Sequence, residues 1–479
     1  MQPNFVNRTL WTGDNLHILR QLNSESVDLI YLDPPFNSNR TYEAPIGSVA
    51  AGAAFKDAWT LDDTDVAWHG EIAETSPRLY EIIRAGRAGG GDSMMAYLVM
   101  MAVRLIHMRR ILKPTGSIYL HCDPTASHYL KLLMDVLFGR DKFRNEIVWK
   151  RSSRSDGHRF GWTHDTLLAY GGRGHPTWND VYLDHDGDYI DRFYREKDER
   201  GRYKRDDLTG PGVTGGESGL PWRGTDPSKA GRCWSIPRRG AYAAWIESEI
   251  IPGYQRIPSV HGRLDALEKA GLIHWPKTGQ GWPRLKRYLA ASPGRRANDV
   301  FDDIRPVSNL SRERVGYPTQ KPLALLERII RASSNLNDVV LDPFCGCATA
   351  LVAAERLGRQ WVGIDLSPLA VKLVKQRLKQ EMGMFYDIVA RTDIPRRTDM
   401  GKLPNYRTHK HQLYGRQEGN CYGCKAHFPY KNLTIDHIVP TAHGGTDHLD
   451  NLQLLCGWCN SKKGTKSQES FLAEMAKTG

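Results

Sequence analysis

A β-α-β unit in the second half of the chain constrains the fold more than any other feature of the sequence. Apolar runs predict strands at 339–341 and 361–364, and the segment 350–357 between them predicts a helix. Small residues form the turn after the first strand, and Asp365 follows Asp342 by 23 residues. Such a turn presents helix N-terminal N–H groups to a ligand, and an acid ~20 residues further on can bind ribose hydroxyls. The pattern indicates nucleotide binding, with a turn made only for packing as the alternative.

Further elements of the same kind are predicted on both sides of this unit. Residues 27–32 and 117–121 predict strands, and residues 96–112 predict an amphipathic helix between them. Two more helices are predicted at 323–333 and 368–380. Strands that alternate with helices are typical of the α/β class.

The composition is that of a folded protein with several domains. The 479 residues give room for two to four domains of roughly 100–200 residues each. Hydrophobic residues make up 40% and charged residues 25%, which excludes a wholly disordered or fibrous chain. The net charge of +12 fits a polyanionic partner, with a surface that is basic only for solubility as the alternative.

Signals for export and membrane insertion are not expected. Residues 1–11 lack a basic region followed by an apolar core, so we predict no secretory leader. The longest apolar stretch, 94–108, contains Arg104 and His107 and is shorter than the ~20 residues that span a bilayer. The eight cysteines are too few for a disulfide scaffold, which favours a reducing compartment. We therefore predict a cytoplasmic protein without a membrane span.

The segment 152–309 differs from the α/β parts in being rich in Gly, Pro, Arg and Trp and poor in regular periodicity. We expect a loop-rich, basic region, and loops on a rigid scaffold commonly carry recognition residues. An insertion without a binding role is the alternative. Five tryptophans of this segment could stack on bases or fill a core, and we expect the core: Trp162, Trp178, Trp222, Trp234 and Trp282.

The tetrapeptide Asp33-Pro34-Pro35-Phe36 directly follows the first predicted strand. Active sites of open α/β sheets lie at this carboxyl edge. The exocyclic amine of a base is a poor nucleophile because its lone pair is delocalised into the ring. The Asp33 carboxylate and the Pro34 carbonyl can accept the two amine hydrogens, and Phe36 can stack on the base. A turn that only ends the strand is the alternative.

Together these motifs resemble the S-adenosylmethionine-dependent amino-methyltransferases of DNA, in their circularly permuted β-class order. The resemblance covers most of residues 7–385. Besides the tetrapeptide, it rests on Gly-Asp-Asn-Leu at 13–16, Tyr-Pro-Thr-Gln-Lys-Pro at 317–322 and the loop 342–349. It implies a Rossmann-like fold and a catalytic role for the residues of the tetrapeptide.

The resemblance also implies which residues bind the cofactor. By this resemblance, the methionine part of the cofactor would contact Asp342, Phe344, Gly346 and Thr349, and its carboxylate would contact Thr319 and Lys321. The ribose would contact Asp365, and the adenine would contact Asp14. Two residues depart from the family pattern, since Ala348 replaces the usual final glycine of the loop and Tyr317 replaces a usual histidine. Alanine is small and Tyr317 lies outside the core motif, so we expect cofactor binding to be retained.

The target base is predicted from the first catalytic residue. Asp33 resembles the adenine-N6 members, whereas cytosine-N4 members more often have serine. We therefore expect methylation of adenine N6 in double-stranded DNA, with cytosine N4 as the alternative. The base has to be flipped out of the duplex, which costs a few kcal/mol.

The C-terminal segment contains two C-x-x-C pairs. Cys421, Cys424, Cys456 and Cys459 have the number and spacing of a closed tetrahedral zinc site. The intervening and following residues resemble an HNH nuclease of the ββα-metal type. The resemblance implies a structural Zn²⁺ and a catalytic Mg²⁺ or other divalent cation.

The same resemblance implies the nuclease residues. His437 would be the general base, Asp436 and Asn460 would hold the catalytic cation, and Asn451 would orient the His437 loop. A base with a pKa near 7 and a cation suit phosphodiester hydrolysis. Asn460 replaces the histidine that ends the motif, so metal affinity is expected to be modest. A zinc-containing module that only binds DNA is the alternative, and the other histidines nearby are expected to be solvated.

These motifs divide the chain into five predicted segments. They are a catalytic part at 1–151, a target-recognition insert at 152–309, a cofactor-binding part at 310–391, a linker at 392–415 and a nuclease domain at 416–479. The arrangement predicts a DNA methyltransferase fused to a nuclease, of the kind used in restriction-modification. A nuclease whose N-terminal part only senses site status is another alternative. The sequence does not reveal the oligomeric state, and a homodimer is one assembly that it allows.

Overall fold

The computed structural model divides into two units, Met1–Asn179 with Asp299–Gly479 and, separately, Asp180–Asn298. It describes residues 2–36, 40–43, 54–57, 60, 68–69, 72, 76–152, 158, 160–276, 281–308, 310–317, 319–383, 387–399 and 406–476.

A nine-stranded mixed sheet forms the centre of the first unit. Its strands are β1 (Thr9–Thr12), β2 (Val27–Leu32), β3 (Leu112–Cys122), β4 (Phe143–Lys150), β5 (His164–Gly171), β6 (Val300–Phe301), β7 (Val339–Asp342), β8 (Gln360–Asp365) and β9 (Val389–Arg391). Their order across the sheet is β6-β4-β5-β3-β2-β7-β8-β1-β9. β5 is antiparallel to both of its neighbours, β3 and β4, and the other pairs are parallel. The predicted α/β class is therefore confirmed. A separate two-stranded ribbon joins Arg40–Glu43 and Ala54–Asp57.

Six helices cover the two faces of this sheet. They are α1 (Asn15–Gln21), α2 (Pro77–Ile111), α3 (Ser127–Phe138), α4 (Leu323–Ser333), α5 (Thr349–Arg356) and α6 (Pro368–Met382). Buried residues of α1, α2 and α3 form one hydrophobic core, and those of α4, α5 and α6 form another. Successive residues of β2 belong to different cores, because side chains alternate between the faces of a strand.

Local sequence signals account for most of these boundaries. The helix predicted at 323–333 is observed with those bounds. The helix predicted at 96–112 is longer and begins at Pro77, after the N-cap Ser76, with Gly91 in a non-helical conformation inside it. Proline at the first helical position costs no hydrogen bond, which explains the start. Among the described helices, α2 included, none combines the length and apolarity that a bilayer crossing needs.

A buried aspartate fixes the register of the central strands. Asp28 lies within the apolar strand β2, and its Oδ2 accepts a hydrogen bond of 2.9 Å from the backbone N–H of Val339. The Lys113 ammonium lies 2.8 Å from the same oxygen. A buried carboxylate requires such partners, so Asp28 favours the pairing of β2 with β7 and β3.

The second unit has a core of its own. Its strands are Tyr182–Leu183, Glu196–Asp198, Gly201–Asp207, Thr209–Pro211, Arg232–Trp234, Ile273–His274, Arg284–Tyr288 and Arg295–Arg296, and its helices are Gly187–Phe193, Ala241–Trp245, the π-helical turn Ile246–Ile250 and Val260–Lys269. Short elements separated by loops match the loop-rich insert that the sequence predicts. Trp222 and Trp234 are buried in the core of this unit, as expected.

The five tryptophans of the predicted insert therefore differ in burial. Trp162 and Trp178 lie in the first unit and are 57% and 62% exposed, contrary to the expectation of a core position. Trp282 is half-buried. For the two exposed side chains the alternative, stacking on DNA bases, stays a prediction.

The C-terminal residues form a ββα arrangement. Strands Leu433–His437 and Leu452–Cys456 pair antiparallel, and helices Gly457–Lys463 and Gln468–Ala476 follow. The preceding helix, Lys410–Arg416, contributes Leu413 to the same core. All of this helix except Arg416 lies in the segment 392–415, which the sequence assigns to a linker.

The start of that segment is also fixed in place. Asn23 and Thr398 form two hydrogen bonds. The Thr398 N–H donates to the side-chain oxygen of Asn23 at 2.9 Å, and the Asn23 amide donates to the Thr398 hydroxyl at 2.7 Å. The Asp399 carboxylate accepts a hydrogen bond of 2.8 Å from the Ser24 N–H. Residues 398–399 are thus anchored to the loop after α1, and the predicted domain boundaries at 391 and 415 stay predictions.

Candidate active sites

A cavity of about 660 Å³ lies in the first unit, where β2, β7 and β8 end. Parallel strands place their carboxyl-terminal loops at one edge, so the predicted motifs meet there although they are far apart in the sequence. The cavity is lined by all the residues predicted for catalysis and cofactor binding in this unit: Asp14, Asp33, Pro34, Pro35, Phe36, Thr319, Lys321, Asp342, Phe344, Gly346, Thr349 and Asp365.

Asp365 closes the loop after β7. Its two carboxylate oxygens accept hydrogen bonds from the backbone N–H groups of Gly346, at 2.8 Å, and Ser367, at 2.9 Å. Burial raises the pKa of Asp365 to about 6. Gly346 has φ +47°, and a Cβ there would lie 3.2 Å from the Tyr317 ring. The loop therefore requires glycine at 346, and Tyr317 packs over it.

The backbone of Ala348 explains why the family pattern has glycine at this position. Ala348 is buried and adopts the left-handed conformation, with φ +66° and ψ +29°. For a residue with a Cβ this costs roughly 1–2 kcal/mol. Its buried methyl group contributes about 0.8 kcal/mol in return. The two effects are similar in size, so the loop keeps its turn with alanine.

Arg104 connects the motif at 13–16 to the loop after β7. Its guanidinium donates hydrogen bonds of 2.9 Å to the Asp14 carboxylate and 2.6 Å to the Asn15 side-chain oxygen. The Asn15 amide then donates to the Pro343 carbonyl at 2.7 Å. Burial lowers the pKa of Arg104. This network fixes Asp14 beside the cavity and joins residues from three distant parts of the chain.

The two oxygens of the Asp33 carboxylate have different surroundings. Oδ2 lies 2.5 Å from the Lys321 ammonium, which is itself almost fully buried. Oδ1 is buried, and no hydrogen-bond partner is found for it among the described residues. Since Asp33 lines the cavity, this oxygen is an acceptor available to a ligand.

Lys321 and Thr319 stand next to Asp33 rather than apart from it. The Lys321 ammonium also donates to the Thr319 carbonyl at 3.3 Å and lies 5.2 Å from the centre of the Phe36 ring. Thr319 has φ +62°, which is strained for a β-branched residue. The sequence assigned Lys321 to the cofactor carboxylate, and the ion pair with Asp33 is a contact that it did not predict. Pro318 lies outside the described residues.

Four cysteine side chains converge in the C-terminal ββα arrangement. The Sγ atoms of Cys421, Cys424, Cys456 and Cys459 all lie within 4.8 Å of one another. A tetrahedral zinc ion with Zn–S bonds of about 2.3 Å would place its sulfurs about 3.8 Å apart. The donor set and its spacing therefore fit zinc, as the sequence predicts.

The predicted general base of the nuclease is held by an acidic partner. His437 ends the strand Leu433–His437, and its Nε2 lies 2.8 Å from the Asp447 carboxylate. A carboxylate on one ring nitrogen fixes the orientation of the imidazole and leaves Nδ1 as the other functional nitrogen. Asn451 exchanges hydrogen bonds with the backbone of Val439 at 2.8 and 3.0 Å and donates to the Thr446 carbonyl at 2.8 Å. Asn451 thus spans the loop that follows His437.

The predicted cation ligand Asp436 is paired with a buried lysine. The Lys463 ammonium lies 2.8 Å from the Asp436 carboxylate and donates to the His437 carbonyl at 2.5 Å. The Gln453 amide donates to the same Asp436 oxygen at 2.8 Å. Asn460 lies on the helix Gly457–Lys463 and is half-buried. A cation bound by Asp436 would therefore share this carboxylate with Lys463.

Comparison with known proteins identifies a family for each of the two parts of the chain. Residues 27–376 match the DNA methylase family model, and residues 421–475 match the HNH endonuclease model. The Type II methyltransferase M.EcaI of Enterobacter cloacae is 31% identical over 374 residues, 78% of this chain and 69% of that protein. The Type III restriction-modification enzyme StyLTI Mod subunit of Salmonella typhimurium is 28% identical over 368 residues, 73% of this chain and 50% of that protein. Among solved structures, the cytosine-N4-specific PvuII DNA methyltransferase has 14% identity and a TM-score of 0.37, covering 78% of this chain and 88% of that chain.

In the first unit, central strands of an open α/β sheet end at one cavity. This arrangement is typical of enzymes that bind a ligand at the carboxyl edge of the sheet. Since the family model matches more than half of the chain, the protein belongs to the DNA methylase family. It carries an HNH endonuclease domain at its C-terminal end.

Several residues at the two sites were not predicted from their motifs. They are Asn15, Tyr31 and Arg104 at the cavity, and Asp447, Gln453 and Lys463 in the C-terminal domain. Arg104 had a signal, since a charge inside an apolar helix must find a partner when buried. No sequence signal marked Asp447 and Gln453, because their partners depend on how the strands at 433–437 and 452–456 pair.

Loss of the cysteine cluster should release zinc and unfold the C-terminal domain. We expect zinc in the purified wild-type chain and none in Cys421→Ser/Cys456→Ser, because a small domain of this kind folds together with its metal. Elemental analysis and hydrogen exchange of the strands at 433–437 and 452–456 measure the two effects. Cys233→Ser, outside the cluster, should retain both zinc and protection. A wild-type chain without zinc but with a protected hairpin would contradict the assignment.

Proposed function

We propose that this protein transfers a methyl group from S-adenosylmethionine to adenine N6 in double-stranded DNA, and that its HNH domain hydrolyses DNA phosphodiesters. The observation that carries the first part is the Asp33 carboxylate. One of its oxygens is held by Lys321, and the other is buried in the cavity without a partner among the described residues. This is the arrangement required to receive one hydrogen of an exocyclic amine.

The cavity supports S-adenosylmethionine as the ligand. Four carboxylates line it, those of Asp14, Asp33, Asp342 and Asp365, which favours a ligand with cationic groups. The glycine turn at Gly346 and the helix that begins at Thr349 lie beside it. We assign Asp342, Phe344, Gly346 and Thr349 to the methionine part, Asp365 to the ribose, Asp14 to the adenine, and Thr319 with Lys321 to the methionine carboxylate. When bound, the cofactor supplies an electrophilic methyl group.

The residues of the tetrapeptide activate and hold the amine. Asp33 Oδ1 accepts one amine hydrogen and the Pro34 carbonyl accepts the other, so that the nitrogen lone pair becomes available for attack. Phe36 stacks on the flipped base, and the ring of Pro35 limits the movement of the acceptors. Catalysis then results mainly from positioning.

The base and the recognition element are further parts of the proposal. Adenine is favoured by the aspartate at position 33, and cytosine N4 is the alternative that the same geometry serves. We assign target recognition to the segment 152–309, most of which forms a separately folded unit, Asp180–Asn298, with its own core.

For the nuclease we propose His437 as the base that activates water. Asp447 orients its ring, and Asn451 orders the loop beside it. We assign Mg²⁺ or another divalent cation to Asp436 and Asn460, where it would offset charge on the phosphate oxygens. The pairing of Asp436 with Lys463 supports the alternative of a domain that only binds DNA.

Replacing Asp33 by alanine should abolish methylation and leave cofactor binding nearly unchanged. The amine then loses its charged acceptor, and we expect the single-turnover rate to fall by at least ~10²-fold. Labelled S-adenosylmethionine, unmodified mixed-sequence DNA and digestion to nucleosides measure the rate and identify the methylated base. Asp92→Ala, at an exposed position on α2, is the matched control. Methylation retained in Asp33→Ala would refute the assignment, and N4-methylcytosine would replace the adenine proposal.

Replacing Arg104 by methionine should weaken both the fold and the cofactor site. The change leaves Asn15 and Asp14 without their buried donor, which costs about 1–3 kcal/mol of unfolding free energy. Because Asp14 and Asn15 line the cavity, S-adenosylmethionine affinity should fall as well. Thermal unfolding and calorimetric titration measure the two effects, with the exposed Arg109→Met on the same helix as control. Equal affinities in the two variants would show that the network does not support the site.

Replacing His437 by alanine should remove metal-dependent nicking of supercoiled plasmid. Loss of a general base lowers such rates by about 10²–10⁴-fold. His443→Ala, an exposed histidine of the same domain, should cut as the wild type does. A wild-type protein that binds the plasmid but does not nick it with Mg²⁺ would favour the DNA-binding alternative.

A further inference from the structure

A chain of hydrogen bonds leads from the cavity into the sheet. Tyr31 lines the cavity, and its hydroxyl lies 2.9 Å from Nδ1 of His121. Nε2 of His121 lies 3.2 Å from the Asp165 carboxylate. These residues come from β2, β3 and β5, which are neighbours in the order β5-β3-β2. The chain thus crosses three adjacent strands.

The three side chains are buried. Their exposed fractions are 2% for Tyr31, 0% for His121 and 3% for Asp165. Burying a carboxylate, an imidazole and a phenol together is costly unless each group has a partner. Such clusters of buried titratable groups beside a cavity are characteristic of functional sites.

The direction of the hydrogen bonds follows from the charge at the inner end. Arg151 forms an ion pair with Asp165, with 2.7 Å between Nε and Oδ1, which favours the ionised carboxylate. An ionised Asp165 only accepts, so Nε2 of His121 carries a proton. Nδ1 of a neutral His121 is then an acceptor, and the Tyr31 hydroxyl donates to it. The oxygen lone pairs of Tyr31 remain for a group in the cavity.

Tyr31 and Asp33 line the same cavity. Tyr31 lies near the end of β2, and Asp33 directly follows that strand. The His121 ring packs against Phe36, with ring centres 5.7 Å apart and planes inclined by 28°. The chain is thus connected both to the predicted base-stacking residue and to the strand that directly precedes the amine acceptor.

Asp33 is poorly suited to keep the proton that methylation releases. Its carboxylate is paired with the Lys321 ammonium, whose side chain is 8% exposed. Protonating Asp33 would leave a buried ammonium without its counter-ion, which is strongly unfavourable. Asp33 therefore accepts a hydrogen bond from the amine, and the proton needs another destination.

We propose that Tyr31, His121 and Asp165 form the acceptor for the proton that the target amine loses. The inference rests on the proposed methylation of an exocyclic amine. The amine nitrogen forms a bond to the methyl carbon as the carbon–sulfur bond of the donor breaks, and the positive charge moves from sulfur to nitrogen. Asp33 Oδ1 keeps its hydrogen bond to one N–H of the amine. The other N–H, released by the Pro34 carbonyl, returns its electron pair to nitrogen as its proton passes to the Tyr31 oxygen, and the Tyr31 proton passes to Nδ1 of His121. The resulting imidazolium is stabilised by Asp165. After product release its proton returns through the Tyr31 hydroxyl to water in the emptied cavity.

Two substitutions interrupt this chain in different ways. Tyr31→Phe removes the oxygen that accepts the proton. Asp165→Asn keeps the shape and is expected to reverse the hydrogen bonds. The Arg151 cation lies 2.7 Å from Oδ1 and favours the amide oxygen on its own side, which places the amide nitrogen toward His121. His121 would then carry its proton on Nδ1 and donate to Tyr31. The matched control is Tyr119→Phe, a buried tyrosine on the neighbouring strand whose hydroxyl bonds Ser333 at 2.6 Å.

Single-turnover methylation of unmodified mixed-sequence DNA tests the proposal. With saturating labelled S-adenosylmethionine, Tyr31→Phe and Asp165→Asn should each be slower by on the order of 10²-fold. Cofactor affinity should stay within about threefold, and the double variant should be no slower than the slower single variant, because both changes interrupt one chain. Tyr119→Phe should react at the wild-type rate.

A second measurement does not depend on activity. ¹⁵N-histidine spectra of the full chain, with His121→Asn to identify the signals, should show the His121 proton on Nε2 in the wild type and on Nδ1 in Asp165→Asn. Wild-type rates in Tyr31→Phe, or an unchanged tautomer in Asp165→Asn, would overturn the proposal while methylation by the wild type still supports the proposed function. A wild-type chain that methylates neither base would reject both.

Discussion

The parallel pairing of β2 with β7 is the contact on which the methyltransferase site depends. Leu29 lies opposite Val340 and Ile30 opposite Leu341, so strands more than 300 residues apart in the chain end side by side. The loops that follow begin with Asp33 and Asp342, and both line the cavity. The Asp28 carboxylate binds the first N–H of β7 and thereby fixes the register. A shift by one residue would turn the side chains of β2 to the opposite faces of the sheet and displace Asp33 relative to Asp342.

Helices α2, α4, α5 and α6 were predicted at least in part, because their signals are local, whereas α1 and α3 were not predicted. The apolar spacing at 323–333 acts through neighbours in sequence. The Ser76-Pro77 start of α2 is also a local signal, but the prediction placed the start of this helix at residue 96. The motifs at 33–36 and 342–349 were recognisable for the same reason, and their convergence followed from the general position of active sites in open sheets. The secondary structure of the second unit was harder to predict from the sequence, because its short strands are stabilised mainly by pairing with one another.

The contacts that set the chemistry join residues far apart in sequence. Lys321 pairs with Asp33, Arg104 with Asp14, and His121 with Tyr31. No pattern of spacing contains these pairs, because each depends on which strands become neighbours and on their register. The sequence showed only that buried charges such as Arg104 must have partners. It therefore predicted the residues of the cavity more completely than the contacts between them.

Both sites pair an aspartate predicted to act in chemistry with a buried lysine. Lys321 holds Asp33, and Lys463, which is fully buried, holds Asp436. A buried ammonium favours the ionised carboxylate and fixes its position, but it also occupies one of its oxygens. At Asp33 this division is useful, since the second oxygen can meet an amine while the ammonium prevents it from keeping a proton. At Asp436 the same pairing competes with a metal cation. Nuclease activity therefore requires either that Asp436 bind the cation and Lys463 together, or that the Lys463 ammonium move away from Asp436 when the cation binds.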